Sequence, residues 1–121
     1  MTEDLTQLDE LATELLAEAT SSSAHRAART LIAGKAPLRQ TVIALAAGAE
    51  MSEHENPGYA TVQILTGAAR LVAGSGSWEL RAGSHLVVPH ERHSVHAGAD
   101  TVLLLSVVLA KEHLPEDART P

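Results

Sequence analysis

Leu5, Leu8, Leu11, Ala12, Leu15, Leu16 and Ala19 recur at intervals of three and four residues, and Glu3, Asp4, Asp9, Glu10, Glu14 and Glu18 fill the gaps. That spacing lays the apolar positions along one side of an α-helix and the acids along the other. A helix is predicted over residues 3–19, capped by Thr2, with acids in its first turn where the positive end of the macrodipole favours them. Its leucine stripe requires cover, from the outside of the chain's own β-structure or from a partner subunit.

After the polar linker Thr20 to Ser23 the period changes. Short apolar stretches at 27–32, 39–47, 59–66, 68–73, 77–81, 85–89, 93–97 and 101–110 read as strands, and the mostly polar residues 50–55 lead into the first of two glycine-punctuated segments. Turn signals separate them at Gly34 to Pro37, Gly48, Pro57-Gly58, Gly67, Gly74 to Gly76, Gly83 and Gly98. Strands at this spacing with glycine-rich turns predict an all-β sandwich or closed barrel, not alternating α/β units. Residues 41–47 and 101–110 alternate little, as expected of strands covered on both faces. For 101–110 that argues for cover from outside the barrel, and so for an oligomer. The chain divides into helix and linker (1–22), β-barrel (23–110) and a polar tail with two prolines (111–121).

A length of 121 residues fits one domain with a real core. The net charge of -6 is local: six of the fifteen acids precede the first base, and the remainder is balanced. With no basic stripe, one Trp, one Tyr and no Phe, nothing suits a nucleic-acid surface. The absence of cysteine removes disulfides and thiolate metal sites. No apolar run is long enough to span a membrane, and Met1 is followed by acids instead of a basic leader, so a cytoplasmic protein without membrane partners is expected.

Candidate chemistry sits in two glycine-punctuated segments. In the first, Gly48 is followed by five residues and His54, then Asn56, Ala60 and Gly67. In the second, Gly83 is followed by five residues and Pro89, then His93. Alternation puts His54 and Asn56 on one face and Glu53 and Glu55 on the other; His93 shares a face with Val95, and Ser94 shares the opposite one with His96.

These spacings resemble the two signature motifs of the cupin superfamily, in its small single-domain, cupin 2 type of conserved barrel. The family writes a second histidine where Asn56 stands and a glutamate where Ala60 stands. In the second motif one residue fewer precedes the histidine, and Glu91 replaces a usual glycine. The resemblance implies a small cupin barrel, of jelly-roll or double-stranded β-helix type, with the amphipathic helix at its N-terminus. It also implies a homodimer, and His54, Asn56 and His93 facing inward.

Family members with the full ligand set hold a metal at this place. Imidazoles suit zinc, nickel, iron, manganese or copper, although an amide offsets less of a dication's charge than a carboxylate and Ala60 offers no donor. His85 and His90 are possible supplements. His25, His96 and His113 read as solvated, Glu53 and Glu55 as a solvated edge, and Arg39, Arg70, Arg81 and Arg92 as scattered. Arg92 could reach an anionic ligand at the mouth of the barrel, and an exposed turn residue is the plainer reading. Tyr59 could cap the pocket opening, while Met51 and Trp78 read as packing.

Three functions follow as expectations. The first is small-molecule binding through a divalent transition metal held by His54, His93 and Asn56, which leaves room for dioxygenase-like chemistry. The second is a metal-free ligand-binding or sensor module. The third is an isomerase using His54 or His93 as acid or base, although no partner carboxylate is apparent to tune either one.

Overall fold

The computed structural model describes residues 4–54 and 58–108, with residues 53 and 54 described by backbone alone. One helix, α1 (Leu8–Ser21), precedes nine strands: β1 (Arg26–Ile32), β2 (Leu38–Leu45), β3 (Glu50–His54), β4 (Tyr59–Thr66), β5 (Ala68–Ala73), β6 (Gly76–Arg81), β7 (His85–Val87), β8 (His93–Ala97) and β9 (Thr101–Val108). They form a five-stranded sheet in the order β1-β2-β9-β4-β7 and a four-stranded sheet in the order β3-β8-β5-β6, antiparallel throughout.

One closed sheet was expected, and among the described residues there are two sheets instead. Apart from β1–β2 and β5–β6, each successive strand changes sheet. Gly67 is such a connection, between β4 of one sheet and β5 of the other. The core is therefore closed by side chains packed across two inner faces. Leu45, Val62, Ile64 and Leu103 come from the five-stranded sheet, Leu71, Leu80, Val95 and Ala97 from the four-stranded one, and Val88 seals one end. Met51 and Trp78 pack against this cluster.

The leucine stripe of α1 is covered within the chain. Leu11, Ala12, Leu15 and Ala19 lie against Val42, Ala44 and Val102 on the outer face of the five-stranded sheet, with Leu65 and Leu104 at the margin. The outward side chains of β9 that seemed to require a partner, Val102 and Leu104, thus meet the helix. Arg29 of β1 pairs with Glu14 at 3.3 Å and Glu18 at 3.8 Å, but both pairs are solvent-exposed and add little.

The helix begins at Leu8 and not near residue 3; Gln7 is its N-cap, without a side-chain cap bond, and Thr2 lies outside the described residues. Leu5 is 66% exposed. Short helices in proteins are held chiefly by packing, and a turn whose leucine is mostly exposed has little such support.

The β4–β5 corner has a tight geometry. Gly67 has φ of 95°, and it packs against the start of β9, where Thr101 is fully buried. The Thr101 hydroxyl lies 2.9 Å from the Ala68 carbonyl and 2.8 Å from that of Ala99, and it accepts from the Ala68 N–H at 3.2 Å. The outer surface beyond α1 leaves Leu38 and Val87 exposed.

Candidate ligand site between the sheets

His93 opens β8, where burial alternates: His93, Val95 and Ala97 are buried, and Ser94 and His96 are half-exposed. Period two thus places the imidazole on the inner face, in line with core residues. It is 3% exposed and, with Thr101, makes up the buried polar side chains found among the described residues. Thr101 serves the backbone of a corner. An imidazole within an apolar layer costs free energy unless its polar atoms are paired.

Part of that pairing is local. His93 Nδ1 lies 3.0 Å from the Glu91 carbonyl oxygen. A carbonyl only accepts, so Nδ1 carries the proton and the neutral ring keeps its lone pair on Nε2. A backbone carbonyl held in this way by the far nitrogen fixes ring and tautomer, the arrangement usual behind metal-ligating histidines.

The second predicted histidine is brought alongside by register. Strand β3 pairs Glu50 with His96 and Met51 with Val95, and then, after a one-residue shift, His54 with His93. The ladder therefore sets the two backbone positions directly opposite each other, although they are far apart in sequence. The side chain of His54 lies outside the described residues, as does all of Asn56, and so do Glu55 and the side chain of Glu53.

The donor set fits a metal only in part. The tautomer and burial of His93 suit a transition ion bound through Nε2. Ala60, which stands where the cupin motif writes a glutamate, is on the inner face of β4, 2% exposed, and offers no donor. Among the described residues no three His, Cys, Asp or Glu side chains converge.

The remaining histidines separate clearly. His85 is exposed and paired with Gln63, on the sheet face away from the core, so it does not supplement His93. His90 is exposed, and the ring of Tyr59 meets it edge-on, with centroids 4.8 Å apart at 61°. Tyr59 itself lies opposite Val108, on the outer side of β4, because Ala60 next to it faces the core. His25 is exposed, and His113 lies outside the described residues.

His96 is not merely solvated, contrary to expectation. It is bonded to Glu50 at 3.0 Å and to Ser94 at 2.9 Å. The shared face of Ser94 and His96 is legible from alternation; the presence of Glu50 beside them depends on the β3–β8 register.

No protein-family model matches the sequence, and no curated protein matches it. Solved structures do. A conserved protein of unknown function from Streptococcus pyogenes is 31% identical, covering 72% of this chain and 76% of its own, with a TM-score of 0.65. A cupin superfamily protein from Desulfitobacterium hafniense matches with a TM-score of 0.66 and 21% identity over 69% of this chain and 77% of that one. The chain has the cupin fold.

The same fold forms part of a larger enzyme. Salicylate 1,2-dioxygenase from Pseudaminobacter salicylatoxidans matches with a TM-score of 0.67 and 22% identity. The match covers 82% of the cupin but 33% of the dioxygenase chain. Among the described residues no helix is long and apolar enough to cross a membrane.

Proposed function

We propose that this cupin binds a small molecule between its two sheets, at the His54 end of β3, through a divalent transition metal held by His54, His93 and Asn56. The observation that carries this reading is His93: a buried imidazole with Nδ1 engaged by a carbonyl, paired in register with a second histidine position. The fold supports it, because likeness to a dioxygenase domain places this architecture among those that house small-molecule chemistry. Zinc, nickel, iron, manganese and copper all accept imidazole nitrogen. Such an ion would supply Lewis-acid polarisation of an oxygen-bearing ligand at the positions that protein donors leave open. The chain's own part is to orient His93 through the Glu91 carbonyl and to wall the site with apolar side chains.

Ala60 favours a second reading, a metal-free cupin that binds its ligand directly and acts as a binding or sensor module. Elemental analysis of untagged protein incubated with each metal separates the two. About one equivalent per chain, lost in His93→Ala while that variant stays folded, is expected. Below about a tenth of an equivalent for every metal, the metal reading fails and the metal-free one stands.

We also propose that the cupin is a homodimer. Leu38, 38% exposed, and Val87, 52% exposed, supply an apolar surface that α1 leaves uncovered. Sedimentation at micromolar concentration is expected to give twice the chain mass; a monomer would overturn this.

A further inference from the structure

The outer face of the four-stranded sheet carries a constellation unrelated to the interior site. Ser94 and His96 are two residues apart on β8 and so lie on one face, and register puts Glu50 of β3 directly opposite His96. His96 Nδ1 is 3.0 Å from Glu50 Oε2, and His96 Nε2 is 2.9 Å from Ser94 Oγ. A carboxylate only accepts, so Nδ1 donates to Glu50; in the neutral ring Nε2 then presents its lone pair, and the Ser94 hydroxyl donates to it. That is the order in which an imidazole can take the proton of a serine hydroxyl as the oxygen attacks.

Access is also present. The side chains of His96 and Glu50 are 40% and 59% exposed. A notch of about 250 Å³ beside His96 is lined by Ala68, Arg70, Glu79, His96, Ala97 and Gly98; of Ser94, His96 and Glu50, His96 alone is among the residues lining it. Arg70 stands opposite His96 on β5 and is diagonal to Ser94, within reach for a long side chain. Its guanidinium, 3.6 Å from Glu79 and more than half exposed, is the cation nearest in register to charge developing on an acyl oxygen.

We propose that Ser94, His96 and Glu50 form a nucleophilic serine relay that hydrolyses small acyl esters on this face. Ser94 Oγ bonds to the ester carbonyl carbon as its proton passes to His96 Nε2. The C–O bond to the alcohol then breaks, and the alcohol leaves with that proton. Water, deprotonated by the same nitrogen, cleaves the acyl-serine to the acid and restores Ser94. Glu50 is a positioning residue, holding the imidazole without touching the acyl group. Open to solvent, the relay works with weaker electrostatic assistance than an enclosed site, so a modest esterase is expected.

The test is hydrolysis of p-nitrophenyl acetate by the full chain. Wild-type protein is expected to show a burst and to carry acetyl on Ser94 by peptide mass spectrometry. Ser94→Ala and His96→Ala should each lose about a hundredfold in protein-dependent rate. Glu50→Ala should lower kcat with KM unchanged. Phenylmethylsulfonyl fluoride, which needs no variant, should modify Ser94 and spare Ser77, an exposed serine on the same face. A Ser94→Ala protein as active as wild type, or a reagent that labels Ser77 as readily as Ser94, would overturn the proposal.

Discussion

Replacing Gly67 with alanine is expected to destabilise the protein by about 4 kcal/mol and to lower its melting temperature by roughly 15 °C or more. Two independent costs combine. At φ 95° an L side chain is strained wherever it is placed. A Cβ here also has no room: it would overlap the Asp100 carbonyl oxygen and lie 2.7 Å from Thr101 Cα. Both obstacles are backbone, held by the hydroxyl of Thr101, so no rotamer change relieves them. A domain of this size has about 5–15 kcal/mol in total, so the variant should sit close to the unfolding threshold. Urea titration with an unchanged m-value checks this. A loss under about 1 kcal/mol would mean that the corner yields, and that the close approach is not a constraint.

Leu15→Ala is expected to cost about 3 kcal/mol without altering the oligomeric state. Leu15 is fully buried in the contact between α1 and its own sheet, surrounded by Val42, Ala44 and Val102. Deleting its isopropyl group removes transfer free energy and leaves a cavity that a rigid β-surface cannot collapse into. Leu5→Ala, on a residue that is 66% exposed, should stay within about 0.5 kcal/mol of wild type. Thermal melts and sedimentation on the two variants together decide the matter. If Leu15→Ala dissociated the protein and left its melting temperature unchanged, the helix would be an intersubunit element and not part of this domain's packing.

The parts of the fold legible in the sequence are those that depend on local period. The helical stripe, the short strands other than β3 and their glycine turns all follow from spacing. What the stripe covers does not: the same leucines would serve a partner equally well, and only the outward Val42, Ala44 and Val102 show where they go. The period sets the start of the helix too early because Leu5 keeps it while remaining mostly exposed. The spacing leaves sandwich and closed barrel both open, since alternation assigns each side chain to a face and says nothing about which strand lies alongside.

The candidate site divides in the same way. The motif spacing singles out His93, and alternation gives it the face of Val95. Its tautomer, set by the carbonyl two residues back, is not written in any pattern. Glu50 and His96 are separated by forty-odd positions of ordinary polar sequence, and only the pairing of β3 with β8 makes them partners. Hence His96 reads as a surface residue until the ladder is known.

The one-residue shift in β3 governs how these two regions coexist. Counted strictly by twos from Glu50, position 54 would fall into step with the outward residues; the extra residue between Met51 and His54 resets the phase, so that His54 is aligned with inward-facing His93. A single short segment thereby pairs with an outward-facing residue at Glu50 and with an inward-facing one at position 54, within four positions. A change at Glu50 therefore bears on the outer face of β8, and a change in the register of position 54 on its inner one.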